Sequence, residues 1–416
     1  MNVLVVGGGG REHAICLALS RSPRVKKLFC APGNGGIAGT AECVGIPAAD
    51  VEGMVRFSRE NADFVVVAPD DPLAAGMVDA LEAAGIKAFG PRKDAARIES
   101  SKAYAKSLME KYGIPTAEFK VFTEIEEAKA YVRERGAPIV VKADGLALGK
   151  GVVVALDTET ALGAVDGMMR DGKFGESGSR VVIEECMTGP EVTVLAFTDG
   201  KTIRPMLSSQ DHKRAYDDDR GPNTGGMGAF CPSPAYTGEI AEICMDTIIK
   251  PTVDAMRSEG APFKGVLYFG LMLTPQGPRV VEYNARFGDP ETQPILTMLK
   301  TDLLDILEAV TEERLQEIEI EWRDGFACCV VMASGGYPER YEKGLPISGL
   351  GDVPDGVTVY HAGTAPAGTG FVTNGGRVLG VTAVGGTLEQ AAARAYGGVS
   401  RIHFKNAHFR TDIGRR

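Results

Sequence analysis

A chain of 416 residues exceeds one ordinary domain and, at roughly 150 residues per domain, predicts two to four. Its 44% hydrophobic and 24% charged content, with no apolar run near the ~20 residues needed to cross a bilayer, excludes a disordered chain and a membrane span. A net charge of −10 argues against nucleic acid as a partner, because counterion release needs a basic surface, so local cations must meet any anionic substrate.

The N-terminus runs straight into a strand without a basic leader, which predicts a cytoplasmic protein. Eight cysteines (16, 30, 43, 186, 231, 244, 328 and 329) form no C-x-x-C pair and no metal-ligand spacing, and are read as reduced thiols.

Residues 2–6 form an apolar strand leading into Gly7-Gly8-Gly9-Gly10-Arg11-Glu12-His13 and a helix to about residue 20. This is the first turn of a doubly wound nucleotide-binding fold, where helix N-terminal amides receive a phosphate. A dinucleotide fingerprint would need glycine where Glu12 stands, and the strand at 27–31 ends in Pro32-Gly33-Asn34-Gly35-Gly36 without a ribose-binding acid. A nicotinamide-binding oxidoreductase is thereby disfavoured, leaving the phosphate of another ligand or a purely structural turn. His13 is read as a packed residue. Strands at 64–68 and 87–90 around a helix at 73–84 continue a parallel sheet, with Pro69-Asp70-Asp71-Pro72 at a strand's carboxyl end, where such sheets bind ligands.

A helix over 101–112 precedes a strand, a helix and the hairpin Ala137–Val154, whose glycine-rich tip carries Lys142, Gly145, Gly149, Lys150 and Gly151. Backbone amides and ammonium groups there suit phosphates; a solvated surface hairpin is the alternative. It is no Walker loop, because a strand follows. Two strands within 180–195 meet at a tight connection bearing Glu184, Glu185 and Glu191, which could accept from adenine or ribose. The long loop from Ser208 to Gly228, with Asp211-His212-Lys213-Arg214 and Gly225-Gly226-Met227-Gly228, supplies local cations.

After a helix at 238–259, strands 265–273 and 278–284 form a hairpin. Glu282, Asn284 and Arg286, two residues apart, share one face of an extended strand, which suits a magnesium ion holding nucleotide phosphates beside a fixed cation. A solvated edge strand is the alternative. Asp289-Pro290-Glu291 reads as N-cap, N1 and first-turn acid of a helix continued by Leu299, Leu303, Leu307 and Val310. From residue 326 the chain is β-rich, with strands at 327–333, 357–364 and 371–382 and a helix at 388–396, a small α+β domain.

Together these motifs resemble the ATP-grasp ligases and, among them, the phosphoribosylamine–glycine ligase (glycinamide ribonucleotide synthetase) family. The resemblance rests on Gly8-Gly-Gly-Arg-Glu-His13, Ala31-Pro-Gly-Asn34, Lys142-Ala-Asp-Gly-Leu-Ala, Gly149-Lys-Gly-Val152, Ser209-Gln-Asp-His-Lys-Arg214, Gly221-Pro-Asn-Thr-Gly-Gly-Met-Gly-Ala229 and Asn284-Ala-Arg-Phe-Gly-Asp-Pro-Glu-Thr-Gln293. It extends through Ala333-Ser-Gly-Gly-Tyr-Pro338, His361-Ala-Gly-Thr364, Asn374-Gly-Gly-Arg-Val-Leu379 and Asp412-Ile-Gly414, from end to end of the chain.

The resemblance implies an α/β and α+β multidomain fold: a doubly wound N-terminal domain over 1–101, an ATP-grasp region over 102–325 with its lid at 116–190, and a β-rich C-terminal domain over 326–416. It implies that ATP, glycine and 5-phosphoribosylamine give glycinamide ribonucleotide through glycyl phosphate, with Mg2+ or Mn2+, in a cytoplasmic monomer without nucleic-acid or membrane partners. By similarity Glu282 and Asn284 hold the metal, and Arg286 neutralises the transferring phosphoryl group. Lys102, Lys142 and the 145–151 loop, including Gly145, Gly149, Lys150 and Gly151, cover the ATP phosphates. Glu184, Glu185 and Cys186 line the adenine, and Glu191 takes the ribose. Gly9, Arg11, Asn34, Asp211, Lys213, Gly225, Gly226, Met227, Gly228, Asp289 and Glu291 bind phosphoribosylamine or glycine, with Asp211 and Lys213 also catalytic.

The chain departs from relatives at Ala68-Pro69-Asp70, where Gly-Pro-Glu is common, and at Leu148 and Thr193. Opposite the E-x-N strand, Phe269-Gly270-Leu271 supplies no second metal carboxylate. The alternatives are another ATP-grasp carboxylate–amine ligase or carboxylase of nucleotide metabolism, or a non-catalytic nucleotide sensor.

Overall fold

The computed structural model describes residues 1–147, 151–171 and 175–415. The predicted positions Leu148, Gly149 and Lys150 lie outside the described residues. Strands β1 (Asn2–Gly7), β2 (Lys27–Pro32), β3 (Glu42–Cys43), β4 (Phe64–Val67) and β5 (Lys87–Phe89) form a sheet in the order β3-β2-β1-β4-β5, parallel throughout. β1 and β4 are near-continuous apolar runs because both faces are covered. Helices α1 (Gly10–Leu19), α2 (Val51–Asn61), α3 (Asp70–Ala75), α4 (Met77–Ala83), α5 (Lys93–Ser100) and α6 (Lys102–Tyr112) accompany it. The helix expected at 73–84 is two helices, broken where Gly76 takes φ +90°, a conformation glycine reaches without a Cβ penalty.

The lid sheet comprises β6 (Phe119–Phe122), β7 (Ile139–Ala143), β8 (Val152–Ala155) and β9 (Val181–Glu185), ordered β6-β9-β7-β8 and antiparallel, with helices α7 (Ile125–Arg135) and α8 (Thr158–Val165). The expected hairpin is β7–β8. The strands expected to meet near residue 186 do follow one another, but they belong to different sheets. β10 (Glu191–Asp199) leaves the lid for the central sheet, where it pairs with β11 (Ile203–Pro205). Residues 186–190 therefore bridge two sheets.

The loop that follows contains β12 (Gln210–Asp211), β13 (Arg214–Tyr216), β14 (Arg220–Asn223) and β15 (Gly228–Cys231). Helices α9 (Gly238–Cys244) and α10 (Lys250–Ser258), joined by a π turn, form the helix expected at 238–259. β16 (Lys264–Thr274) and β17 (Gly277–Asn284) complete the central sheet, ordered β11-β10-β16-β17, with a bulge between Gly270 and Leu271.

Beyond β17 the expectation needs correction. Helix α11 (Thr292–Met298) starts at Thr292 rather than Pro290, and the chain extends at Leu299 before α12 (Leu303–Thr311), capped by Asp302 Oδ1 on the Leu304 amide at 2.9 Å. Asp289 is not a cap, because its carboxylate faces Arg377 and Gln293.

The C-terminal segment supplies β18 (Phe326–Ala333), β19 (Pro346–Ile347), β20 (Val357–His361), β21 (Thr364–Ala367), β22 (Gly370–Thr373), β23 (Arg377–Gly385) and α13 (Leu388–Val399). Its main sheet, β12-β15-β18-β23-β20, borrows two strands from the 208–231 loop, so that loop is built into the C-terminal sheet.

The N-terminal and central sheets share their apolar core. Val6, Val67, Leu108, Val194 and Phe269 lie in one buried cluster, and Val5, Phe64, Phe197 and Phe287 in another. Phe287, edge-on to Phe197 at 5.9 Å, anchors the backbone one residue past Arg286, its burial stabilising by about 1.5–3 kcal/mol. Among the described residues no helix is long and apolar enough to cross a membrane.

Candidate active site

Alternation along β17 and its extension buries Tyr283, Ala285 and Phe287 and leaves Glu282, Asn284 and Arg286 half-buried on the other face. Arg286 Nη2 lies 3.1 Å from Asn284 Oδ1 and 2.9 Å from Glu99 Oε1, while Nη1 donates to the Phe287 carbonyl at 3.2 Å. The guanidinium is thus clamped, and its buried Nε has no protein acceptor among the described residues. Glu99, at the end of α5, is the positioning group that sequence reasoning missed; nothing local marks it.

The loop from β12 places Lys213 against this face. Its Nζ lies 2.9 Å from Glu191 and 3.8 Å from Glu282. Burial opposes the ammonium, yet Glu191, Asp211 and Glu282 outweigh it and hold Lys213 well above its usual value. Burial also pushes Glu282 up, but Lys213, Lys142, Lys102 and Arg286 prevail and keep it ionised. Asp211 goes the other way: burial, with Glu291, Glu191 and Glu282 nearby, lifts it to about 7 despite Lys213. Glu291 is buried and accepts from the Tyr268 hydroxyl at 2.9 Å. Four carboxylates around one lysine leave excess negative charge that a cation or a substrate ammonium would relieve.

The lid supplies the opposite charge. Lys142 Nζ lies 2.8 Å from Glu184 and donates to the Val281 carbonyl at 3.0 Å, joining β7 to β17. Lys102 Nζ donates to the Gly145 carbonyl at 3.0 Å, held there because Asp144 accepts the Ala103 amide at the start of α6. Lys106, 3.2 Å from Glu184, was missed, although its spacing of one helical turn from Lys102 was a usable signal. Burial lowers it to about 8. One oxygen of Glu184 is buried without a protein partner among the described residues. Glu185 is committed to Arg279 at 2.6 Å and to the Glu118 amide at 3.1 Å, and Cys186 is half-buried in the bridge between sheets. Gly151 accepts from the Ala143 amide at 2.8 Å at the root of the hairpin tip.

A cavity of about 300 Å3 lies between Gly8, Gly9, Asn34, Asp289, Thr364 and Arg377. Gly8 is tightly enclosed: a Cβ there would sit 2.5 Å from the Gly33 carbonyl oxygen. Asn34 lines the cavity with its side chain fully engaged, donating to the carbonyls of Gly8 and His361 and accepting from the amides of Gly36 and Ile37. Glu12 accepts the Gly9 amide at 2.6 Å, so a carboxylate fills the helix N-terminus where a dinucleotide pyrophosphate would lie. Arg11 differs from expectation: it is buried against Glu12 at 2.6 Å and the Phe287 carbonyl at 3.2 Å, not turned into the cavity. Met227 also differs, its side chain being wholly buried. Gly228 pairs with Val330 in the C-terminal sheet.

Arg377, within the Asn374-Gly-Gly-Arg-Val-Leu379 string, clamps this wall. Its Nη1 donates to the carbonyls of Gly225 at 2.6 Å and Asp289 at 2.7 Å, and Nη2 lies 3.4 Å from the Asp289 carboxylate. At Gly226 a Cβ would meet Pro290 at 2.5 Å, and φ of +111° also requires glycine.

Among the described residues no three acidic, cysteine or histidine side chains form a self-sufficient metal site. Glu282 and Asn284 nevertheless fit a hard cation that keeps positions for phosphate oxygens. Glu282 is held ionised, and the donor nitrogen of Arg286 orients the amide oxygen of Asn284.

Comparison with known proteins matches residues 1–99 to the phosphoribosylglycinamide synthetase N domain, 100–292 to its ATP-grasp (A) domain and 327–416 to its C domain. The chain is 50% identical over 415 residues to a phosphoribosylamine–glycine ligase of Rhizobium meliloti, covering 100% of this chain and 98% of that protein. It is likewise 50% identical to that of Allochromatium vinosum over 421 aligned positions, covering 100% and 98%. A crystal structure of phosphoribosylamine–glycine ligase from Thermotoga maritima superposes with a TM-score of 0.87 at 34% identity, covering 99% of this chain and 100% of that one. A biotin carboxylase from Campylobacter jejuni, at 13% identity and TM-score 0.76 over 98% of this chain and 92% of that one, shares the fold.

Proposed function

The chain belongs to the phosphoribosylglycinamide synthetase family, and we infer that it joins glycine to 5-phosphoribosylamine using ATP, giving glycinamide ribonucleotide, ADP and phosphate in de novo purine biosynthesis. It is an ATP-dependent carbon–nitrogen ligase. The observation that carries the assignment of roles is the meeting of Lys142 from the lid, Lys213 from the long loop and Arg286 clamped by Glu99 around the β17 face.

The ATP phosphates lie along Lys102 and Lys142, with the adenine against Glu184 and the bridge at Cys186 and the ribose hydroxyls on Glu191. Glu282 and Asn284 would hold magnesium or manganese, which when bound neutralises phosphate charge. A glycine carboxylate oxygen attacks the γ-phosphorus as its bond to the bridging oxygen breaks, releasing ADP. Arg286 stabilises the phosphoryl group in flight and the resulting glycyl phosphate. Asp211 and Glu291 attract the glycine ammonium. The phosphoribosylamine lies in the cavity beside the Gly8–Gly9 turn, and its amine attacks the acyl carbon, expelling phosphate. The neutral amine is already nucleophilic and needs no activating base for attack. Lid closure excludes water from the acyl phosphate.

The substrates are small molecules, and we place the chain in the cytoplasm as a monomer. ADP release with MgATP and phosphoribosylamine, measured with and without glycine, tests the assignment. Turnover that does not depend on glycine overturns it.

A further inference from the structure

A second cavity, of about 480 Å3, lies at the far end of α1 from the glycine turn and is lined by Arg21, Arg323, Asp324, Arg394 and the Gly385-Gly386 backbone. Ten residues of helix at ~1.5 Å each separate the two ends of α1 by about 15 Å. The three arginines come from three parts of the molecule: the end of α1, the connection from α12 to β18, and α13. All three are exposed, and none makes an ion pair among the described residues. The chain as a whole carries 55 acidic against 45 basic residues. The neighbouring Arg24, by contrast, is paired with both Asp305 and Glu308.

Other details show that the cluster is built. Arg394 is fixed by donating Nη1 to the Val384 carbonyl at 2.8 Å. A Cβ at Gly385 would sit 2.5 Å from the Ala391 amide nitrogen, so glycine lets the end of β23 lie directly against the first turn of the helix that carries Arg394. Arg21 and Arg323 line the same cavity although one follows α1 and the other precedes β18. Asp324, the one acid in the lining, pairs with none of them. Three cations lining one cavity repel unless an anion joins them, and guanidinium forks match phosphate oxygens in pairs. The volume lies within the ~300–1,000 Å3 typical of small-molecule sites, enough for more than an isolated inorganic ion.

We propose that this cavity is a second, non-catalytic site for a phosphate monoester of nucleotide size, held by Arg21, Arg323 and Arg394. Its occupant bridges the N-terminal and C-terminal segments, whose seam also forms the 300 Å3 cavity of the candidate active site. The site thereby couples ligand binding to the geometry of that seam.

The test is equilibrium dialysis of the full chain with labelled 5′-AMP while a non-hydrolysable ATP analogue saturates the nucleotide cleft. One further equivalent of AMP should bind, and Arg323→Ala with Arg394→Ala should weaken it at least tenfold while analogue affinity and basal turnover stay unchanged. Absence of the extra equivalent, or equal binding by the double variant as when AMP enters the active-site cavity, overturns the proposal. If that variant loses its cooperative melt, Arg323→Lys with Arg394→Lys keeps the charges and removes the forks. AMP should then bind several-fold more weakly, and unchanged affinity in that variant also overturns the site.

Discussion

Glu99 ties down both the side chain of Arg286 and the backbone before it: Oε1 lies 2.9 Å from Arg286 Nη2, and Oε2 accepts the Ala285 amide at 2.8 Å. A helix of the N-terminal sheet thereby aims the guanidinium on the central strand, and burial of Glu99, which lifts its pKa, is offset first by Arg286 itself. Glu99→Gln keeps the shape but removes the charge, so kcat should fall about 10- to 100-fold, or roughly 1.4–2.7 kcal/mol of barrier, with little change in ATP KM. Steady-state kinetics with ATP varied would reveal a KM-only effect, which would remove Glu99 from this positioning role. Glu99→Ala, which strands a buried guanidinium, should lower stability by about 3–5 kcal/mol.

Arg286→Lys retains a positive charge but loses the planar fork that spans Asn284, Glu99 and the phosphoryl path. Turnover should drop by two or more orders of magnitude, whereas the nucleotide dissociation constant shifts only a few-fold. Isothermal titration with an ATP analogue beside turnover assays separates the two, and equal losses in both would refute a transition-state role.

Glu282→Gln removes the one strand carboxylate held ionised by four cations. Activity should be nearly abolished at ordinary magnesium and recover partly at higher metal, while the thermal melt is retained. Full activity at ordinary magnesium would take Glu282 out of the metal site.

Acid should destabilise the protein through three buried histidines. Burial first of all, joined for His13 by His361 and for His212 by Arg410, lowers His13, His212 and His361 to about 4 each. The geometry agrees at His13, whose Nδ1 accepts the His361 amide at 2.7 Å and so carries no proton. Above pH ~6.5 both folded and unfolded forms are neutral, and below it the unfolded chain takes up protons first, so stability falls as pH drops towards 4. The loss is about 2 kcal/mol per histidine at pH 5. Urea midpoints at pH 7, 6 and 5 should fall in that order, with His13→Asn shallower; a midpoint flat over that range would contradict it.

The parallel sheet, the β7–β8 and β16–β17 hairpins and the Glu282-Asn284-Arg286 face were legible in the sequence, because each depends on alternation or on residues close in the chain. Helix boundaries after β17 were not. Asp289 and Pro290 have the local chemistry of a cap, but the Asp289 carboxylate serves Arg377, nearly a domain away. Arg11 and Met227 carry a motif's identity yet face the core, for motif spacing does not say which way a side chain turns.

By itself, then, the sequence determined which residues lie on one strand face and which glycines free the backbone, both consequences of short-range sterics and hydrophobic period. Only the tertiary structure decided the charge partners: Glu99 for Arg286, Glu184 for Lys142 and Lys106, Glu191 for Lys213, and Arg377 for the Gly225–Gly226 carbonyls. Electrostatic pairing acts through space, and local pattern carries no record of which distant segment the shared core will bring alongside.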